Sequence, residues 1–97
     1  EAKIVSMSKT ISNAIKKIAD LCESKGVMLV LVNPPQLVEE VFERPSCTRE
    51  FIWIDGNLWP GAKTPSNYYD DHHLVGEGAK RYSKWLSNQV ERSLNAR

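Results

Sequence analysis

Apolar residues recur every three or four positions from Ile4 through Met7, Ile11, Ile15 and Ile18 to Cys22, with Ala14 and Ala19 beside them. Lys9, Asn13, Lys16, Lys17, Asp20 and Glu23 fall mainly on the other side. That period predicts an amphipathic helix over 6–25. Ser6 or Ser8 caps its start and Gly26 stops it. The pattern then changes. Val27-Met28-Leu29-Val30-Leu31-Val32 is continuously apolar and rich in β-branched residues. It predicts a strand covered on both faces, as in a parallel sheet between helices, ended by Asn33-Pro34-Pro35 because proline cannot donate to the ladder. Leu37, Val38, Val41 and Phe42 return to helical spacing and predict two turns of helix over 36–43. Arg44-Pro45 stops that segment. Phe51-Ile52-Trp53-Ile54 predicts a second short buried strand, and Asp55-Gly56-Asn57 a turn after it. A loop from Leu58 to Asn67 carries Pro60, Gly61 and Pro65. Ala79, Tyr82, Trp85, Leu86, Val90 and Leu94 define a last amphipathic helix over 76–94, with Lys80, Arg81, Lys84, Asn88, Glu91 and Arg92 on its polar side.

The order helix, strand, short helix, strand, loop, helix is an α/β pattern with parallel pairing expected. Two strands apolar on both faces do not make a stable sheet alone. The expectation is therefore that partner strands come from an upstream portion of the same domain or from a second chain, with the upstream portion favoured. The first residue is Glu1 rather than Met, which fits a chain processed, cut or excerpted from something longer. At 97 residues this is one domain or part of one.

Charge excludes some partners. Thirteen Lys and Arg against twelve Asp and Glu leave +1, which makes no electrostatic case for nucleic acid or an anionic membrane surface. The longest apolar run, Val27 to Val32, is far short of the roughly 20 residues that span a bilayer, and no signal-peptide pattern opens the chain. Two isolated cysteines, Cys22 and Cys47, are too few for a disulfide scaffold or a zinc site. No cofactor is implied.

Chemistry concentrates in Tyr68-Tyr69-Asp70-Asp71-His72-His73-Leu74-Val75-Gly76-Glu77-Gly78-Ala79, the only stretch with histidine. In open α/β sheets, sites form beyond the C-terminal ends of the strands, and the loop from Asp55 to His73 belongs to that edge. Asp70 and His73, three apart at a loop-to-helix junction, can bring a carboxylate onto one imidazole nitrogen, fix the tautomer and leave the other nitrogen free to accept a proton. Asp71 with His73 is a second pairing of the same kind. Asp70, Asp71, His72 and His73 are also metal-ligand types, but adjacent residues rarely point at one ion and no distant cluster completes a tetrahedral set. Tyr68, Tyr69 and Trp59 either line a pocket for a ring or pack the loop against the body. Ser66 is the loop serine nearest to His73. As a nucleophile it would need the loop to fold back within hydrogen-bond reach.

Asp70-x-x-His73-Leu74, followed by Gly78-Ala79 and a helix carrying Tyr82, Trp85 and Leu86, resembles the C-terminal block of the SGNH (GDSL-type) hydrolases. The preceding helix, the strand ending in Asn33-Pro34-Pro35 and the short strand ending in Ile54-Asp55 are similar in layout, so the resemblance spans most of the chain, with the last block its specific part. It implies a three-layer α/β/α sandwich with a parallel, flavodoxin-like sheet, of which this chain is the C-terminal portion. It also implies a Ser-His-Asp triad acting on small-molecule, carbohydrate or lipid esters, by hydrolysis or acyl transfer. His73 would be the general base and Asp70 its orienting partner. The family's Gly-Asp-Ser block with its nucleophile, and its Gly-x-Asn-Asp block, do not occur here. Position 75 is Val where the family often has a small polar residue. The implied chain supplies the base and its orienter, lacks the nucleophile and is inactive alone. The alternative is a non-catalytic binding or assembly module that completes its sheet by dimerisation or by docking on a partner.

Overall fold

The computed structural model describes residues 3–97, with side chains described from residue 6 onward. The chain is mixed α/β, in the order β1 (Lys3–Val5), α1 (Lys9–Ser24), β2 (Val30–Asn33), β3 (Glu40–Phe42), β4 (Ile52–Asp55) and α2 (Gly76–Asn95). Short 3-10 turns at Gly56–Leu58 and Pro65–Asn67 lie between β4 and α2. The strands form two parallel pairs, β1 with β3 and β2 with β4. The register of the second pair sets Val30 opposite Ile52 and Asn33 opposite Asp55, so both strands end level.

Helix α1 begins and ends where its residues dictate. The Ser8 hydroxyl accepts the Ile11 N–H at 3.2 Å. Gly26 sits at φ +68°, and the N–H groups of Val27 and Gly26 donate back to Cys22 O (2.8 Å) and Glu23 O (3.1 Å). These two bonds close a Schellman turn that needs the left-handed residue glycine supplies without strain. Ile4, grouped above with the helical face, instead lies in β1, and its side chain is outside the described residues.

Two expectations fail. Residues 36–43 form no helix; Glu40–Phe42 is a strand. The reason lies in competition for the backbone. The Leu37 N–H donates to Asp71 O at 2.9 Å, and the Lys63 ammonium donates to Gln36 O (2.6 Å) and Val38 O (2.8 Å). Groups that would have made i to i+4 bonds are taken by other segments, and helical spacing does not override that. Second, β2 is not covered on both faces, because Val32 remains 38 % exposed.

The core lies toward the C-terminal half. Phe51, Ile52, Ile54, Trp59, Ala62 and Tyr68 are buried. Trp59 packs on Tyr82 of α2 at 5.5 Å between ring centroids, and Tyr82 stacks on Trp85 at 6.0 Å. Offset and tilted aromatic pairs at such distances add to the area they bury. Gly56 is needed for close approach: a Cβ there would lie 2.7 Å from Pro35 N. This contact brings the turn after β4 against the segment after β2. No helix among the described residues is long and apolar enough to cross a membrane.

Candidate active site

The residues that follow β2 and β4 meet in a polar cluster beyond the ends of those strands. Asn33, buried at the end of β2, donates through Nδ2 to Asp55 Oδ1 at 3.0 Å. The same oxygen accepts the Asn57 N–H at 3.0 Å, and Asn57 Oδ1 accepts the Gln36 N–H at 2.9 Å. Asp55, read from the sequence as a strand end and turn former, is thus also the bridge between the two strands. Lys63 cross-links the segment after β2 to this cluster, and the Leu37–Asp71 backbone bond docks the histidine loop onto it.

The loop itself is a hairpin. Tyr68 and Leu74 form an antiparallel bridge. The Val75 N–H donates to Asn67 O at 2.8 Å and the Tyr69 N–H to His73 O at 2.9 Å. At its tip, Asp70 Oδ1 accepts the N–H groups of His72 and His73, each at 2.8 Å. Asp70 Oδ2 lies 2.8 Å from His73 Nδ1. The backbone bond from His72, then the His73 ring, holds the Asp70 carboxyl at about 2 against an ordinary 3.8. An ionised carboxylate only accepts, so Nδ1 must carry a proton, and in the neutral ring Nε2 is then the free base. It is Asp70 that takes the ring, not Asp71, whose carbonyl instead accepts from Leu37. The pair stands at the surface, with the side chains 56 % (Asp70) and 71 % (His73) exposed.

Tyr68 is buried and its hydroxyl donates to Ala62 O at 2.7 Å, so it packs the loop, and burial pushes its phenol up. Trp59 is likewise in the core, whereas Tyr69 is 77 % exposed. Ser66 lies in the Pro65–Asn67 turn, and no hydrogen bond joins it to His73 among the described residues. Cys22 and Cys47 are free thiols. Among the described residues, no three His, Cys, Asp or Glu side chains converge where they would hold an ion.

Sequence reasoning missed Asn67, Arg81 and Lys63. Asn67 is buried and uses both ends of its amide: Nδ2 donates to Gly61 O at 2.9 Å, and Oδ1 accepts from the Arg81 guanidinium. Arg81 sits on the polar side of its helix, and nothing in a linear pattern marks a bond 14 residues back. Gly78 did leave a trace. Glycine inside a helix costs about 1 kcal/mol against alanine, and it stands here because a Cβ would lie 2.5 Å from Asn67 O.

No family model, curated protein or solved structure gives a significant match to this chain. The geometry of the site therefore carries the functional reading.

Proposed function

We propose that this chain supplies the base and its orienter, His73 and Asp70, to a serine-type ester hydrolase or acyltransferase resembling the SGNH enzymes. The nucleophile would be contributed by a segment or chain outside the described residues. The observation that carries the reading is the 2.8 Å contact of Asp70 with His73 Nδ1, which leaves Nε2 free, on a loop docked beyond the level ends of two parallel strands. Asp70 fixes the ring; His73 Nε2 takes the proton of an incoming hydroxyl and returns it to the leaving alcohol. The exposure of the pair fits a dyad that awaits cover from the element bearing the nucleophile. Added strands on the open edge of the β2–β4 pair would extend the sheet toward the three-layer sandwich the resemblance implies.

The test is hydrolysis of a short-chain aryl ester by the native gene product. His73→Ala is expected to lose at least about 10³-fold in turnover, and Asp70→Asn a comparable amount, because members of a triad act as a unit. Unchanged turnover in His73→Ala refutes the assignment.

One observation favours a second reading, a binding or assembly module. Ile11, Ile18 and Leu21 on α1 and Val32 on β2 are exposed, and Ile11 and Val32 line a groove of 570 Å³ with Ile15, Leu31 and Trp53. Sedimentation of the 97-residue chain tests it: an obligate dimer supports the module, and a stable folded monomer counts against it.

A further inference from the structure

Asp70 and His73 touch little besides each other, so their direction in space is set by the hairpin that carries them. That hairpin is held to the body by the Leu37 N–H on Asp71 O (2.9 Å) and the Tyr68 hydroxyl on Ala62 O (2.7 Å), and its neck is held by Asn67. Asn67 is 4 % exposed. Its carbonyl accepts the Val75 N–H at 2.8 Å and its own N–H donates to Thr64 O at 3.0 Å. Its amide bonds Gly61 O on one side and Arg81 on the other. Gly78 lets the first turn of α2 lie directly on it. The amide therefore joins three segments: the loop before the hairpin, the hairpin neck and helix α2.

We propose that Arg81 and Asn67 are positioning residues for the Asp70–His73 pair. Arg81 holds the Asn67 amide from α2, and Asn67 holds the hairpin neck so that the carboxylate stays on Nδ1 and Nε2 stays free. This rests on reading the pair as a base and its orienter. The bond from a guanidinium to an amide oxygen is charge-assisted and stronger than a neutral one. Without it, a buried amide oxygen is left unpaired, the neck is free to shift, and the three bonds on the Asp70 carboxylate lengthen together. Those bonds all come from the hairpin itself, from the backbone of His72 and His73 and the His73 ring, so they register the hairpin's own geometry; the Leu37 bond to Asp71 O is the same in every variant, and a change between variants reports the neck.

The experiment follows the Asp70 carboxyl carbon and the His73 ring nitrogens by NMR across pH in the wild type, Arg81→Gln, Asn67→Ala and Arg81→Lys. In the first two variants the Asp70 midpoint is expected to rise by about one pH unit as it loses hydrogen bonds to its charged form. The ring is expected to move from a single Nδ1–H tautomer to a mixture. Arg81→Lys, with a cationic donor on the same turn, is expected to leave both signals in place. The proposal is overturned if both signals stay unmoved in folded Arg81→Gln and Asn67→Ala. It is equally overturned if Arg81→Lys shifts them as far as Arg81→Gln does, or if either of the first two variants loses the folded spectrum, which would make the clamp a support of the whole core. No substrate enters the measurement, so its outcome is independent of the ester-hydrolysis test of His73→Ala.

Discussion

The two ends of this chain carry helices of similar amphipathic pattern, yet they are packed very differently. From Phe51 to Tyr68 most apolar residues are inside, namely Phe51, Ile52, Ile54, Trp59, Ala62 and Tyr68, with Leu58 the exposed exception at 74 %. Helix α2 closes over them through Tyr82 on Trp59, with Trp85 stacked on Tyr82. Among residues 6–45 the buried hydrophobic residue is Ala19, while Ile11, Ile18, Leu21, Val27, Val32 and Val41 stand exposed. The polar bonds divide the same way. The second region holds two sets: Asp55, Asn57 and Lys63, joined to Asn33 at the end of β2, and Asn67 with Arg81 and Gly61 O. The first is joined to the rest partly by surface ion pairs of Arg49 with Asp20 and Glu23, of a kind that contributes little at high exposure. Amphipathic pattern thus specifies a face to be covered and leaves open whether this chain covers it. The region that covers its own face is also the one that builds the candidate site.

The largest expected effect tests that contrast directly. Trp59→Ala removes a ring buried against Tyr82 and should destabilise the chain by about 3–5 kcal/mol, enough to abolish a marginal fold. Ile18→Ala removes a side chain already 47 % exposed and should cost under about 1 kcal/mol. Denaturant titration of both variants checks the pair. A cost of 2 kcal/mol or more for Ile18→Ala would mean that the α1 stripe is already covered in solution, and the contrast would fail.

Legibility follows the same division. Both long helices, the two strands of the β2–β4 pair and their parallel pairing could be read from hydrophobic period and from Asn33-Pro34-Pro35, because those signals are local. Residues 36–43 could not. Their helical spacing was real, but Lys63 and Asp71, 25 residues and more away, took the backbone groups. At the site, Asp70 with His73 was readable because three residues at a loop end is a local geometry. The spacing alone left Asp71 open as a second partner; only the resemblance to the SGNH block named Asp70, whose Oδ2 lies 2.8 Å from the ring. Asn67 and Arg81 were invisible: a buried amide is recognised by its partners, and these lie on three separate segments.

A smaller effect comes from the start of α2. Val75 is its N-cap residue and has no side-chain oxygen to accept the orphan N–H groups of the first turn. Val75→Ser keeps the extended backbone (φ −73°, ψ 163°) and should add about 0.5–1 kcal/mol, read as a raised denaturation midpoint at unchanged slope. Destabilisation instead would show that the half-buried Val75 side chain contributes more by packing than a cap would restore.

The smallest effect on global stability, and the most local, is that of pH on the hairpin tip. The folded Asp70 carboxyl lies at about 2, below its ordinary 3.8. Its ionised form is thus favoured by the fold, so its contribution is fully present above pH 3.8 and is lost as pH falls through about 2. Protonating the His73 ring does not break the pair, because Nδ1–H donates in both the neutral and the cationic ring. Amide exchange of His72 and His73 should therefore be slow and level above pH 4 once corrected for intrinsic rates, and should lose protection between pH 4 and pH 2. Asp70→Asn should show the low-pH behaviour throughout. The Val75 amide, bonded to Asn67 O at the neck, should stay protected over the whole range. If Val75 opens together with His72 and His73, the hairpin melts as one unit from its tip. The core at Asn67 would then not isolate the site from its own exposed end, and the contrast between a packed, site-bearing region and a loosely tied one would have to be redrawn inside the C-terminal half.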